Sequence, residues 1–314
     1  MIAVGGENLI DLVAQKQAGN DPLHYRAAAG GGPFNVAMAV GRQGHEIAYL
    51  SPISKDSFGD LLADRLVESH VTIAAERVDQ PTSLAIVTID SDGIPSYSFH
   101  RNGTAERQVT AAMLARIFPE NTKIFHVGGL ALIDGDDAEV WKQEFARCRT
   151  DKILTSLDPN VRPALINDRK QYTDRLGHLM RNADIIKLSD EDLTWLYPDL
   201  PLDVALAECR AQCNATLFIL TLGSDGARGF VEAGDIHVAA AKTQTIIDTV
   251  GAGDTFMASI LGWIVETGCL TPDDLRATDV SSLETVLTKA AKAAAFNCEH
   301  SGCNPPWRHQ TELW

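Results

Sequence analysis

Basic residues are scarce in this chain of 314 residues: 27 Lys and Arg stand against 42 Asp and Glu, for a formal net charge of −15 and an isoelectric point near 4.9. A chain this acidic has no general affinity for nucleic acid or an anionic membrane surface, so neither is an expected partner. Long apolar runs are missing too, and none approaches the roughly 20 residues that span a bilayer. The opening Met1-Ile2-Ala3-Val4-Gly5-Gly6-Glu7 has no basic stretch and meets an acid at once. It is expected to be a buried strand and not a secretory signal, with the cytoplasm as the compartment. Cysteine is sparse: Cys148, Cys209, Cys213, Cys269, Cys298 and Cys303 form no dense framework. Cys209 and Cys213 have the spacing of one helix face, and Cys298, His300 and Cys303 fall close enough together for zinc to be considered. Without paired C-x-x-C spacing or an evident fourth ligand, reduced structural thiols are expected. Two nucleotide motifs are also absent. No G-x-x-x-x-G-K-[ST] occurs, which excludes a P-loop kinase, and no G-x-G-x-x-G follows the first apolar run, which counts against a dinucleotide dehydrogenase. There is no internal repeat and no low-complexity segment.

What is present is ordinary for a soluble globular protein: 45% hydrophobic and 22% charged residues. The length exceeds the usual domain size, yet α/β folds often run this long as one domain. Short β-type runs (Ile2 to Val4, Ile47 to Leu50, Lys123 to Val127, Ile153 to Leu157, Ile185 to Lys187, Leu217 to Leu220) alternate with helical patterns. The helices are expected at Asn35 to Gln43, Ser57 to Ser69, Ala138 to Cys148 and Asp168 to Arg181, then from Thr255 and from Ser281. Such alternation predicts a mostly parallel sheet covered on both faces, with ligands beyond the carboxyl ends of the strands. One stretch breaks the rhythm. Ala85 to Asp90 and Pro95 to His100, joined by Ser91-Asp92-Gly93, predict a β-hairpin, and Leu12 to Ala27 is expected to be loop-like or weakly β. A hairpin leaving an α/β body has a face to cover, so it is a lid or a dimer edge.

The most informative run is Asp248-Thr249-Val250-Gly251-Ala252-Gly253-Asp254, which opens into an apolar helix pattern. Two glycines allow close backbone approach, and a helix N-terminus offers free N–H groups and a positive dipole end, which together cradle an anion such as a phosphate. A carboxylate on that turn would repel an anion. It has a purpose if Asp254 takes a proton from a hydroxyl while the amides hold a transferring phosphoryl group. The motif alone equally fits a Gly-rich turn with Asp254 as a helix N-cap.

Near the other end stands Gly30-Gly31-Gly32-Pro33-Phe34-Asn35-Val36-Ala37 ahead of a helix. With both runs present, in this order and about 220 residues apart, the chain resembles the ribokinase (phosphofructokinase-B) family of carbohydrate kinases. Gly6-Glu7-Asn8-Leu9-Ile10-Asp11, Asp158-Pro159-Asn160-Val161-Arg162, Lys187-Leu188-Ser189-Asp190-Glu191-Asp192 and Gly302-Cys303-Asn304-Pro305-Pro306 fit its bacterial fructokinase branch. The resemblance implies one ribokinase-like α/β kinase domain over 1–314, with a small β-sheet lid built from about 12–27 and 72–105. Asp254 becomes the catalytic base, with Gly251, Ala252 and Gly253 as the anion hole. Asp11, Gly31, Gly32 and Asn35 become sugar contacts, joined by Arg101 at the end of the lid and Arg162 beyond a strand end. Ser189, Thr221, Gly223, Ser224 and Gly226 fall on the ATP side, and Asp248 with the Val250 carbonyl match positions that hold a monovalent cation, taken as K⁺. ATP with Mg²⁺ is the implied cofactor, and a homodimer through the lid the implied assembly. Two departures stand out: Ser189 and Asp192 replace the usual Asn and Glu of the family, and Cys303 replaces a small Ala.

The expected activity is transfer of the ATP γ-phosphate to a ketohexose, D-fructose to D-fructose 6-phosphate. 2-Keto-3-deoxygluconate kinase is the alternative, with ribokinase or nucleoside kinase behind it. An acid substrate would meet Asp11 as a like charge. A catalytically idle sensor on the same fold is the rival from another class, and it has no use for a base beside an anion hole.

Overall fold

The computed structural model describes residues 1–15, 24–89 and 95–310. The chain starts with β1 (Ile2–Gly5), β2 (Leu9–Ala14) and β3 (Tyr25–Gly30), then α1 (Gly32–Arg42), β4 (Ile47–Tyr49), α2 (Ser57–Glu68) and β5 (Thr72–Ile73). Next come β6 (Ser83–Ile89), β7 (Pro95–His100), α3 (Ala111–Ile117), β8 (Ile124–Gly128), α4 (Gly135–Thr150), β9 (Leu154–Asp158), α5 (Arg169–Arg181) and β10 (Ile185–Ser189). The last part holds α6 (Asp190–Leu196), α7 (Leu202–Ala211), β11 (Leu217–Thr221), β12 (Ala227–Val231), β13 (Gly234–Val238), α8 (Ala252–Thr267), α9 (Pro272–Arg276) and α10 (Val280–Cys298).

Nine strands form the main sheet in the order β13-β12-β11-β10-β9-β8-β1-β4-β5, parallel throughout except for the antiparallel β11–β12–β13 edge. The central strands are apolar runs of Ile, Val, Leu and Phe, as strands buried on both faces must be. One core lies on the face of α1, α8 and α10, around Phe34, Met257, Ile260 and Leu287. A second lies on the opposite face against α4 and α5, around Phe125, Trp141, Phe145 and Leu176. The expected ribokinase-like α/β architecture, a mostly parallel sheet flanked by helices with a smaller sheet beside it, is the one observed. Because all the parallel strands run one way, Glu7, Gly128, Asp158, Ser189 and Thr221 gather at or just past their carboxyl ends.

The smaller sheet has the order β3-β2-β6-β7. Strands β6 and β7 form the expected antiparallel pair; the Ser91-Asp92-Gly93 turn lies outside the described residues. The stretch from Leu12 to Ala27 is more regular than expected at its ends. Leu12 to Ala14 continue β2 and Tyr25 to Ala27 begin β3, in a ladder that pairs Leu12 with Ala27. Neither end carries a strong period-2 alternation, so the pairing rests on main-chain bonds and packing. Also not expected were the β12–β13 hairpin and the short helices α3, α6, α7 and α9. Among the described residues no helix is long and apolar enough to cross a membrane.

Candidate active site

Helix α8 begins behind Gly251, whose φ of +79° lies in the left-handed region that favours glycine. A Cβ there would also collide with the Cys303 side chain. No side chain caps this helix. Asp254 is therefore not the N-cap; Gly251 holds that position, and Asp254 sits in the first turn with its carboxylate turned inward. Gly253 is exposed and Asp254 is buried, so the helix N-terminus opens to solvent with a carboxylate sunk just behind it. That arrangement leaves main-chain N–H groups facing an entering anion.

Asp254 is held by Asn35, whose Nδ2 donates to Asp254 Oδ2 at 2.8 Å. Asn35 itself is 3% exposed, and its Oδ1 is buried with no hydrogen-bond partner. A buried acceptor left open beside a carboxylate suits a hydroxyl-bearing ligand, which donates to both. The loop before α1 supplies the backbone freedom: Gly31 has φ +113°. An ideal Cβ at Gly32 would stand 3.2 Å from Asn160 Nδ2, 3.5 Å from Glu7 Oε1 and 3.6 Å from Asp254 Oδ1. Gly31, Gly32, Asn35 and Asp254 thus lie together on one wall.

Burial raises the proton affinity of Asp254 most; the Asn35 bond lowers it, the Asp158 charge raises it, Lys187 lowers it and Glu7 raises it, leaving the pKa at about 7. Deeper in, Lys187 Nζ and Asp158 Oδ2 form an ion pair of 2.8 Å with both side chains 5% exposed. Burial pulls the Lys187 ammonium down, but Asp158, Asp192 and Asp254 together hold it above its ordinary value. Its Nζ lies 3.5 Å from where a Cβ on Gly253 would be, so a fixed positive charge stands under the helix N-terminus. The sequence contained a signal for this pair: a lysine inside the apolar run Ile185-Ile186-Lys187-Leu188 is out of place unless partnered.

Asp11, on β2, lies against Gly30 of β3. Burial first, then the Asp248 charge, raises its pKa to about 6, with Arg26 and Arg162 opposing. It therefore faces both the smaller sheet and the main body. Arg162 is exposed beyond β9, turned back to the Val161 carbonyl at 3.1 Å, and reaches Asp11 only through its charge. Arg101, expected to reach toward a substrate from the end of the lid, is engaged within the chain. It is 7% exposed and its Nε donates to Glu106 Oε1 at 3.0 Å, forming a buried pair that joins the end of β7 to the following turn.

On the expected nucleotide side, Thr221 ends β11 and donates to the Leu188 carbonyl at 3.3 Å. Gly223 (φ +54°) and Ser224 are exposed, with nothing within 4 Å of a Cβ at Gly223. Gly226 is not part of that open turn: it is buried at φ +95°, where a side chain would collide with the Val238 carbonyl, so its glycine serves packing against β13. Ser189 caps α6, accepting from Asp192 N at 3.0 Å, and Asp192 returns the bond to Ser189 N at 2.9 Å. Asp192 also accepts from Val161 N at 2.7 Å, fixing the Asn160–Val161 turn. The departures at Ser189 and Asp192 thus build a capping box.

Behind the Gly251 turn, Asp248 accepts from Val250 N at 3.0 Å and Gly302 N at 2.8 Å, while the Val250 carbonyl accepts from Asn297 Nδ2 at 2.7 Å. Each of these oxygens keeps a further lone pair, and an all-oxygen set with one carboxylate suits a hard cation. Among the described residues no group of three or more His, Cys, Asp and Glu could hold a metal, and all six cysteines are free. His300 is occupied by the Phe296 carbonyl at 2.8 Å, and the buried Cys303 packs under Gly251.

The sequence profile of the pfkB family carbohydrate kinases matches residues 1–310. A fructokinase of Rhizobium leguminosarum bv. trifolii is 32% identical over 90% of this chain and 85% of its own length. The probable fructokinase-2 of Arabidopsis thaliana is 30% identical over 96% of this chain and 90% of its own. The crystal structure of a Xylella fastidiosa fructokinase with bound ATP superimposes with a TM-score of 0.87 at 28% identity, covering 99% of this chain and 97% of that one.

Proposed function

The chain belongs to the pfkB family of carbohydrate kinases and is an ATP-dependent sugar kinase, and from that premise we propose D-fructose as the acceptor, converted to D-fructose 6-phosphate. Fructokinase-named relatives over nearly the whole length support that substrate. The observation that carries the chemistry is the buried Asp254 carboxylate, bonded by Asn35 directly behind the uncapped N-terminus of α8.

In this proposal the acceptor hydroxyl lies between Asp254 and the γ-phosphate. Asp254 takes its proton as the oxygen attacks phosphorus, the bond to the ADP oxygen breaks, and ADP leaves with that electron pair. Negative charge on the transferring group is met by the N–H groups of Gly251 and Gly253, by that of Ala252, which before the anion enters donates to the Thr249 carbonyl at 3.2 Å, and by the nearby Lys187. Asp11, Gly31, Gly32 and Asn35 position the sugar, with the Asn35 Oδ1 accepting from a hydroxyl. The exposed turn at Gly223 and Ser224 takes the nucleotide phosphates, flanked by Thr221. Magnesium would come with ATP and offset the charge of its phosphates, needing few protein ligands because it keeps waters and phosphate oxygens. Asp158 and Asp192 would be the carboxylates available to it. Asp248 and the Val250 carbonyl would hold a potassium ion that steadies the anion-hole turn. The smaller sheet acts as a lid that excludes water, an alternative phosphoryl acceptor, and its edge pairs with that of a second copy.

The test is a coupled ATP-consumption assay across fructose, mannose, tagatose, ribose and 2-keto-3-deoxygluconate, repeated with Asp254→Asn. Fructose should give the highest kcat/KM. The variant should lose at least about 100-fold in kcat with both KM values largely kept, as removal of a general base requires. Near-full turnover in Asp254→Asn, or a clear preference for the ketogluconate, overturns the assignment.

A further inference from the structure

The Gly6-Glu7 opening has no part in the chemistry above, yet Glu7 is 2% exposed and stands at the meeting point of three loops. Its Oε1 accepts from Gly32 N at 2.9 Å, at the start of α1. Its Oε2 accepts from Ala131 N at 3.4 Å, in the turn that follows β8. Gly129, at φ +64°, lies so close that any Cβ there would collide with the Glu7 carboxylate. The backbone of Gly31 packs on the Glu7 carbonyl, again leaving no room for a side chain.

We propose that Glu7 is a positioning residue of the kinase, whose buried carboxylate sets the distance between the acceptor-binding glycine loop and Asp254. The proposal rests on the assignment of Gly31, Gly32 and Asn35 to the sugar. The residue type is decided by chemistry: two N–H donors converge from different loops, and only a carboxylate accepts from both. A Gln would keep one bond and oppose the other N–H with its own NH₂. Both contacts lie on the acceptor side; none reaches the exposed Gly223–Ser224 turn.

The charge has a second consequence. The cation whose charge acts on Glu7, Arg101, is bonded to Glu106 and makes no ion pair with Glu7. Its field falls on Asp254, together with those of Asp158 and Lys187, and it adds to the proton affinity of the base. Cys303 also faces Asp254, but its thiol is pushed well above its usual range by burial and stays neutral. Burial raises the proton affinity of Glu7 itself, opposed by the Arg101 charge and the Gly32 N–H. Over the pH range in which Glu7 is ionised, removing its charge lets Asp254 ionise at lower pH, an effect that loop geometry alone would not produce.

The experiment is steady-state kinetics of Glu7→Ala and Glu7→Gln with fructose and ATP from pH 5.5 to 9 (about the range over which a base near neutrality titrates), with a thermal melt of each. Glu7→Ala should raise the sugar KM at least about tenfold with the ATP KM within about twofold. Glu7→Gln should move the acid limb of kcat to lower pH. An equal rise in both KM values, or an unmoved acid limb in Glu7→Gln, overturns the proposal; if Glu7→Ala does not fold, Glu7→Gln decides alone. Asp254→Asn in parallel keeps the two claims apart: full activity there removes the base, while the split between sugar and ATP KM still reports on Glu7.

Discussion

Asn35 Nδ2 and Asp254 Oδ2 lie 2.8 Å apart across 219 positions of sequence, and that bond joins the first turn of α1 to the first turn of α8. It ties the expected sugar-binding loop to the expected base and makes that base hold a proton less readily than burial alone would.

The bond lowers the Asp254 pKa, which still stands at about 7. The kcat of the wild-type enzyme should rise with pH through an acid limb near neutrality, since only the carboxylate accepts a proton. Asn35→Ala removes the lowering contribution, so its limb should shift upward and its deficit shrink in alkaline buffer. A pH–rate profile of the two proteins checks this; superimposable limbs would contradict it.

The same carboxylate costs stability. Asp254 titrates at about 7 in the folded protein against 3.8 ordinarily, so between those values the native state binds the extra proton. Stability from this group is full below the ordinary value and is lost as pH rises toward the folded one. Asp254→Asn should therefore unfold at higher denaturant than wild type at pH 8, by an amount on the order of a few kcal/mol, and about equally near pH 4. Equal midpoints at both pH values would argue against a buried, uncompensated charge.

Gly251 is constrained both by its φ of +79° and by Cys303. Gly251→Ala should lose activity and about 1–3 kcal/mol of stability. Adding Cys303→Ala should relieve the collision and return part of the stability, while the left-handed strain remains. Chemical denaturation of the single and double variants separates the two causes.

Lys187 and Asp158 are a buried pair, so breaking one side should be worse than removing both. Lys187→Met leaves Asp158 buried without its partner and should cost roughly 3–5 kcal/mol. Lys187→Met with Asp158→Leu should regain much of that stability but none of the turnover, because the charge under α8 is gone. Recovery of activity in the double variant would remove Lys187 from the phosphoryl site.

Potassium should accelerate turnover over a sodium-only buffer, and Asp248→Asn should abolish the difference. Identical rates in both salts for the unaltered enzyme would dissociate the Asp248–Val250 turn from cation binding.

Much of the site was legible in the residues because its two motifs are local. A glycine pair ahead of an apolar helix pattern announces an open helix N-terminus wherever the chain later puts it, and the Asp248 to Asp254 run does so unaided. The strand and helix alternation was equally plain, since period and burial leave their mark within ten residues. The smaller sheet was only partly visible: β6 and β7 alternate, whereas the outer ends of β2 and β3 carry Ala and polar residues and owe their pairing to each other. The surroundings of Arg101 were not legible either. Its place at the end of β7 suggested reach, but nothing nearby in the run foretold that Glu106 would be buried against it.

The order of residues alone settled the α/β class and pointed to the open turn before α8 and to Asp254 as the candidate base, for these follow from short-range geometry and side-chain chemistry. Folding settled the rest: that Asn35 meets Asp254, that Glu7 bridges two loops, and that Lys187 lies under the N-terminus of α8 beside Asp158. Those contacts exist because parallel strands must end on the same edge, and burying their apolar faces brings distant loops together there, where water no longer screens one charge from the next.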